Sequence, residues 1–527
     1  MQPSCVRKQS YKIDDIKMKA TLLLIGVSLT TTLFGQNTLS LQTDAANITI
    51  EKEIYGHFSE HLGTCIYEGI YVGEDSEIPN IDGYRKDVVE ALKALKVPVL
   101  RWPGGCFADT YHWKDGIGPK DERPSIVNVF WGGVTEDNSF GTHEFLNFCE
   151  LIDAEPYLSI NVGSGTVQEA RDWVEYVTSN NQSPMTDLRK KNGREEPWKV
   201  KFWGIGNENW GCGGDMAADY YANIFRNYSS YIKGADFQKV ICGPAGNDVA
   251  WTETILSGLK NKTALAQGLS LHYYTLPTGD WDSKGSSTDF GEDMWFRTLR
   301  NTLYIEDYIQ QHLAIMDQYD PDRTMKLMVD EWGTWYDQLP GTQDGFLQQQ
   351  NTLRDALVAG MNLNIFNNYA ERIRMANIAQ IVNVLQSVIR TNGPQMVRTP
   401  TYYVFQLYNV HQDAMLIPTE LTTENYEYKG EAIPALSASA SIKDDVISIS
   451  ITNANPHKAI SVSCTPGREF TAVSGKIVNG DAITDYNDFG MEERVLIKDF
   501  EIEKTSNQEL EVEIPAHSVV LLQLQVR

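Results

Sequence analysis

The chain has 527 residues, with 45 Lys or Arg against 70 Asp or Glu, a formal charge of −25 at pH 7. That charge repels nucleic acid and anionic membrane surfaces, so neither is expected as a partner, and it suits a neutral ligand. The length exceeds one ordinary domain and accommodates a barrel of roughly 250 to 350 residues with a smaller module beside it.

Residues 19–36 begin with a basic residue, continue as an apolar run over 20–34 and leave through a small residue, Gly35. The pattern is that of a secretory signal, too short for a membrane anchor, and predicts an exported protein, periplasmic or secreted, with a leader over 1–36. Residues 1–17 are polar and fit no signal n-region, so Met18 is an alternative start. Of seven Cys, Cys5 lies in the leader. The other six, Cys65, Cys106, Cys149, Cys212, Cys242 and Cys464, are scattered without a Cys-x-x-Cys pair. Most are expected to be buried free thiols, and no connectivity follows from their spacing.

Residues 37–53 alternate at Leu39, Leu41, Ile48 and Ile50, a strand pattern with no helix after it. From residue 54 the rhythm becomes strand, glycine-rich loop, amphipathic helix, strand, as in repeated βα units. Val88, Val89, Leu92 and Leu95 share one helical face within 83–96, and the strand 97–100 runs into Arg101-Trp102-Pro103-Gly104-Gly105. Strands are predicted at 156–162, 200–206, 240–243, 269–274 and 326–330. Helical spacing fills 167–177, 304–316 and 353–363. With 54–58 first and 375–383 last the count is about eight, the number that closes a barrel. The last segment overlaps 376–389, whose apolar pattern equally suits a helix. Beyond Tyr408 short alternating runs at 446–451, 459–462, 495–502 and 519–526 are separated by Asn, Gly and Asp turns, which predicts an antiparallel β-sandwich. The expected organisation is a leader over 1–36, an N-terminal strand over 37–53 that joins the sandwich, a (β/α)8 barrel over 54–405 and the sandwich over 406–527.

The chemistry centres on 201–214, where a short buried strand ends in Asn207-Glu208-Asn209-Trp210 before a glycine-rich loop. A carboxylate at the C-terminal end of a barrel strand stands where such barrels place their active sites. Glu331, in Val329-Asp330-Glu331-Trp332-Gly333, has the same setting. Two such carboxylates are what a retaining glycosidase requires, one to protonate the leaving oxygen and one to attack the anomeric carbon. A retaining pair stands about 5 to 5.5 Å apart and an inverting pair about 6.5 Å or more, and the short separation is expected here. Taken singly, a strand-end Glu is more often solvated or salt-bridged, Arg101 is open to a structural role, and His272 resembles a satisfied core histidine. Trp210, Trp332 and Trp335 are equally suited to packing and to stacking against a sugar.

The ordered set Tyr55-Gly-His-Phe-Ser-Glu60-His-Leu-Gly, Leu100-Arg-Trp-Pro-Gly-Gly105, Tyr111-His-Trp-Lys-Asp-Gly-Ile-Gly-Pro119, Gly204-Ile-Gly-Asn-Glu-Asn-Trp210, Asp330-Glu-Trp-Gly-Thr-Trp335 and Met375-Ala-Asn-Ile-Ala-Gln-Ile-Val-Asn-Val384 resembles the α-L-arabinofuranosidases of glycoside hydrolase family 51 over nearly the whole mature chain. The resemblance implies a TIM barrel with a jelly-roll β-sandwich and no cofactor or metal. It implies a retaining exo-acting enzyme that releases arabinofuranosyl groups from arabinan, arabinoxylan or their oligosaccharides, and a homo-oligomer, commonly a hexamer. Carried over, Glu208 is the acid/base and Glu331 the nucleophile. Asn207 holds the sugar 2-hydroxyl, Glu60 and Arg101 bind other hydroxyls or order the carboxylates, His272 and Tyr274 flank the pair, and Gln380 and Trp210 border the sugar. Cys106 stands where many members carry Asn, which leaves that contact open.

Three other readings have a hook in the sequence. His57-Phe-Ser-Glu60-His61 fits the His-x-x-Glu-His pattern of inverted zinc proteases, but Gly56 and Gly63 leave no helix of useful length. An endo-acting glucanase or xylanase of the same barrel clan needs an open cleft in place of a pocket. A non-catalytic glycan-binding protein has no need of both glutamates.

Overall fold

The computed structural model describes residues 37–260, 262–502 and 506–527, so the leader expected over 1–36 lies outside the described residues. Eight parallel strands close into a barrel: Gly56–Phe58, Val99–Trp102, Glu155–Ile160, Phe202–Ile205, Gln238–Ile241, Gly268–Thr275, Lys326–Thr334 and Ile373–Ala379. We number them 1 to 8 in chain order; each bonds to the next, and strand 8 bonds to strand 1. The strands are short and buried on both faces, which is why they read as apolar runs without alternation. Val99, Tyr157, Phe202, Val240, Met328 and Met375, from strands 2, 3, 4, 5, 7 and 8, form a separate buried cluster that fills the barrel interior. Strand 6 contributes Gly268 there, because a Cβ at that position would lie 2.6 Å from the Met328 side chain.

The helices between strands follow the apolar spacing. Lys86–Leu95 buries Val88, Val89, Leu92 and Leu95 against the barrel, and Val167–Thr178 buries Ala170, Trp173, Val174 and Val177. Thr166 caps the second by accepting the Glu169 N–H at 3.1 Å. Strand 8 settles the ambiguity over 376–389 in favour of a strand that ends at Ala379. Its backbone bonds to strand 7 on one side and strand 1 on the other, pairing that local hydrophobicity does not reveal.

Two further sheets build the sandwich. Four strands lie in the order Thr419–Thr422, Asn37–Leu41, Ile460–Thr465 and Leu510–Ile514. Seven lie in the order Ile48–Ile50, Ala414–Ile417, Leu436–Lys443, Val446–Asn453, Ser518–Val526, Phe470–Asn479 and Leu496–Phe500. The N-terminal segment thus gives one strand to each sheet. Asn37–Leu41 is parallel to Ile460–Thr465, the one parallel pair in these two sheets among the described residues.

Helix Leu353–Asn368 joins barrel to sandwich and is buried along almost its whole length, with apolar residues on most of its surface and hydrogen-bonded asparagines on one side. Its asparagines face the seven-stranded sheet: Asn364 Nδ2 donates to Ser437 O at 3.1 Å, Asn367 Nδ2 to Ser439 Oγ at 3.0 Å and Asn368 Nδ2 to Ala438 O at 3.0 Å. Gly360 lets the helix approach, since a Cβ there would stand 2.7 Å from Thr452 Oγ1 and 3.1 Å from Val519 Cγ2. Gly360→Val is therefore expected to destabilise the chain by about 2 kcal/mol through overpacking, despite the better helix propensity of the new residue, read as a lowered midpoint of denaturant unfolding.

Candidate active site

Strand 4 ends at Ile205 and passes through Gly206 and Asn207 to Glu208, which adopts a left-handed backbone with φ of 43°. For a non-glycine residue this costs about 1–2 kcal/mol. The following loop holds it there: the Glu208 carbonyl accepts the N–H groups of Gly211 at 2.7 Å and Gly213 at 3.1 Å, and Asn209 Nδ2 donates to Gly213 O at 2.8 Å. Glu331 lies within strand 7, paired in register with His272 of strand 6.

The two carboxyls meet at His272. Its Nδ1 lies 2.9 Å from Glu208 Oε1 and 3.5 Å from Glu331 Oε2, and the three groups bring one polar atom each within 4.8 Å of one another. Glu331 also accepts from Arg101 Nη1 at 2.8 Å and from the Tyr274 hydroxyl at 2.7 Å. Burial alone would raise the pKa of Glu331, but the positive charges of His272 and Arg101, with hydrogen bonds from Arg101 and Tyr274, hold it below the ordinary carboxylate value. Burial would lower that of His272, and the charges of Glu331 and Glu208 reverse this, so its imidazole sits above its ordinary value. Glu208 is the more open of the pair, its side chain 19% exposed against 7% for Glu331.

Around the pair lies a recess of about 40 Å³ bordered by Glu60, Cys106, Trp131, Glu208, Glu331 and Gln380, among others. Glu60, after strand 1, is buried and accepts the N–H groups of Gly105 and Phe107 at 3.0 Å each. Burial first, and the charge of Glu331 second, push its pKa up to about 7. Gln380 Nε2 donates to Glu60 Oε2 at 3.1 Å, while its buried Oε1 has no hydrogen-bond partner. Asn207 Oδ1 accepts from Arg101 Nη2 at 2.6 Å. Trp210 stands apart from the recess, its Nε1 donating to Gly243 O at 3.2 Å and its ring bordering a larger cleft of about 710 Å³. Trp335 borders both spaces, whereas Trp332 is wholly buried and packs against Phe366 and Phe405.

Cys106 and Cys212 form a disulfide, which corrects the expectation of free thiols at these two positions; Cys65, Cys149, Cys242 and Cys464 are buried and unpaired. The bridge rests against the first carboxyl, with Cys212 Sγ 3.5 Å from Glu208 Oε2. Cys106 therefore presents a sulfur without a hydrogen to the recess, where an amide would offer both donor and acceptor.

Sequence reasoning missed Trp131, whose indole N–H donates to Glu60 Oε1 at 2.9 Å from a long loop after strand 2. Its signal was available in Trp131-Gly132-Gly133, the same aromatic-glycine juxtaposition that marks the strand ends. Asp330 was also missed; it accepts from Tyr157 OH at 2.6 Å and lies 3.9 Å from Arg101 Nε. Glu208, His272 and Glu331 lie close enough to hold a cation, but Arg101 already supplies positive charge to Glu331. The zinc-protease pattern does not converge: His57 lies on strand 1 against Phe405, and His61 Nε2 accepts the Trp102 indole N–H at 3.2 Å. Among the described residues, no helix is long and apolar enough to cross a membrane.

Two family profiles match the chain, the α-L-arabinofuranosidase 1 domain over residues 91–285 and the α-L-arabinofuranosidase C-terminal domain over residues 330–518. A protein of Bacteroides ovatus named an intracellular exo-α-L-arabinofuranosidase is 50% identical, covering 96% of this chain and 100% of its own. The crystal structure of a GH51 arabinofuranosidase from Xanthomonas axonopodis pv. citri superposes with a TM-score of 0.91 at 46% identity, covering 93% of this chain and all of that one. An α-L-arabinofuranosidase from Thermotoga maritima, solved as an arabinose complex, gives 0.83 at 31% identity over 93% of this chain and 100% of its own. The Bacteroides ovatus name overturns the expectation of export, because a relative half identical along nearly the whole chain is named intracellular.

Replacing Arg101 by Met leaves Glu331 buried without its cation. A carboxyl whose folded pKa lies below its ordinary 4.5 contributes stability above that value and loses it as pH falls through the folded value. The variant is therefore expected to be less stable than the parent by about 3 kcal/mol at pH 7, with the deficit narrowing as pH falls from the value of Glu331 in the variant, which burial raises, towards its lowered value in the parent. Unfolding midpoints of both proteins from pH 3.5 to 8 measure this, and a deficit independent of pH contradicts it.

Proposed function

Because the chain belongs to the α-L-arabinofuranosidases of glycoside hydrolase family 51, we propose that it removes terminal arabinofuranosyl groups from arabinan, arabinoxylan or their oligosaccharides by double displacement, with Glu331 as nucleophile and Glu208 as acid/base. The observation that carries this reading is the shared His272 Nδ1, 2.9 Å from one carboxyl and 3.5 Å from the other. Carboxyl oxygens within 4.8 Å of each other suit the short separation of retaining pairs better than the longer separation, about 6.5 Å or more, of inverting ones.

In the first step a Glu331 oxygen forms a bond to the anomeric carbon as the glycosidic oxygen departs with the proton of Glu208. In the second, Glu208 takes a proton from water, the water oxygen attacks the anomeric carbon, and the ester to Glu331 breaks. The negative charge moves from Glu331 to Glu208 between the two steps. His272 touches both carboxyls, so one N–H serves whichever is ionised. Asn207, Glu60 and the unpartnered Oε1 of Gln380 are assigned to sugar hydroxyls; an acceptor buried without a donor is satisfied when a hydroxyl arrives. The recess, closed by Glu60, Trp131 and Gln380, suits a chain end and not a chain passing through, which favours exo attack over the endo-acting alternative. The same reading takes residues 54–405 as the catalytic barrel and 37–53 with 406–527 as one sandwich. It also takes a homo-oligomer, on the family resemblance alone, which light scattering checks.

Glu331→Ala is expected to abolish turnover even of an aryl arabinofuranoside with a good leaving group, by about 10⁴-fold or more. Glu208→Ala keeps much of the first step on that substrate and loses it on arabino-oligosaccharides, and added azide restores turnover. Equal losses for both variants on every substrate contradict the roles, and no turnover by the parent protein supports the glycan-binding alternative.

A further inference from the structure

The Cys106–Cys212 bridge ties the loop after strand 2 to the loop after strand 4 and rests against one side of the Glu208 carboxyl. Glu208 Oε1 is 2.9 Å from His272 Nδ1, while Oε2 faces the sulfurs, 3.5 Å from Cys212 Sγ and 4.0 Å from Cys106 Sγ. With Oε1 engaged by the imidazole, Oε2 is the oxygen left to carry the proton that departs with the glycosidic oxygen. We propose that the bridge is a positioning element for Glu208, and that its reversible reduction by a small thiol weakens proton donation to the leaving group. The proposal rests on the arabinofuranosidase reading above.

Both ends of the bridge are anchored to fixed backbone. Cys106 opens the short helix Cys106–Thr110, and Asp109 of that helix accepts the N–H groups of Val162 and Gly163, after strand 3, through Oδ1 at 2.8 Å each. Cys212 lies between Gly211 and Gly213, whose N–H groups hold the Glu208 carbonyl and with it the left-handed backbone of Glu208. Gly213 is wedged in place, since a Cβ there would lie 2.0 Å from Asn207 O and 2.8 Å from Asp109 Oδ2. The bridge therefore fastens the turn that carries the acid to a neighbouring loop. Opening it removes one of the constraints that keep an unfavourable φ populated.

The sulfurs also act chemically. A disulfide carries no hydrogen, so Oε2 meets no donor from it, whereas two thiols would each offer an S–H to that oxygen. A donor there favours the ionised carboxylate over the acid, which makes the reduced protein the poorer proton donor. Exchange is open to a small thiol, because Cys106 borders the recess and Cys212 is half-buried, whereas the four free cysteines are buried. One external thiolate attacks a bridge sulfur and displaces the other, giving a mixed disulfide. A second attacks the external sulfur of that intermediate and releases the remaining cysteine. Two external thiols are thereby oxidised to one disulfide, and their protons end on Cys106 and Cys212.

The test is kcat/KM on an arabino-oligosaccharide and on an aryl arabinofuranoside with a good leaving group. The parent is measured as oxidised, after millimolar dithiothreitol and after reoxidation with oxidised glutathione, beside the double variant Cys106→Ser with Cys212→Ser. Alkylation and peptide mass spectrometry score the bridge in each sample. Reduction is expected to lower the ratio of oligosaccharide to aryl kcat/KM about tenfold, because only the first substrate needs the proton, and reoxidation to restore it. The double variant, whose hydroxyls stand in for the thiols, shows the low ratio with or without reductant. Loosening of the fold alone lowers both substrates together and leaves the ratio unmoved. A bridge that stays closed to the reductant, an open bridge with an unchanged ratio, or a double variant with the ratio of the oxidised parent overturns the proposal. An oxidised parent that cleaves neither substrate overturns the underlying reading instead.

Discussion

One buried guanidinium holds the site together. Arg101, at the end of strand 2, donates to Glu331 on strand 7 and to Asn207 after strand 4, lies 3.9 Å from Asp330, and stacks over Phe58 at 4.5 Å, with Tyr157 5.8 Å away. It is 1% exposed. An uncompensated cation in that position would be expensive, so the carboxylates and the arginine make each other tolerable. The planar fork also fixes direction, since its two Nη atoms reach strand 7 and the turn after strand 4 at once. The position of Glu331 is thus fixed from across the barrel by this contact as well as by its own strand's pairing with His272.

From that constraint the two glutamates acquire different settings on one fold. Glu331 is ringed by donors and held ionised, whereas Glu208 sits on a strained turn at the rim, between His272 and the Cys106–Cys212 bridge. The division continues outward: a narrow recess lies on the side of Glu60 and Gln380, and the larger cleft on the side of Trp210. Barrel and sandwich are coupled through the same region, because Glu431 of the separate hairpin Asn425–Tyr428 and Glu431–Pro434 pairs with Arg300 at the cleft edge and helix Leu353–Asn368 packs directly on the seven-stranded sheet.

Much of this was legible in the sequence where one physical rule dominates. Barrel strands buried on both faces announce themselves as short apolar runs ending in polar residues and glycine, and Glu208 and Glu331 were found that way. Strand 8 was ambiguous because a fully buried helix and a fully buried strand share the same composition, and only its neighbours decide. The Cys106–Cys212 bridge was not readable, because its halves lie 106 residues apart and meet only when strands 2 and 4 are brought together. Trp131 sits on a long loop whose path no periodicity records. The leader pattern over 19–36 pointed to export, and a short apolar run after a basic residue did not support that inference against an intracellular relative.

The central claim is that Glu331 is the atom donor to a covalent arabinosyl ester while Glu208 carries the proton. The most direct measurement is to mix Glu208→Ala with an aryl arabinofuranoside bearing a good leaving group, quench in acid, digest, and map the adduct by mass spectrometry. One anhydro-arabinosyl group on Glu331 is the predicted result. An adduct on Glu60 or another residue, or release of the aryl group with no adduct and an inverted sugar, contradicts the account.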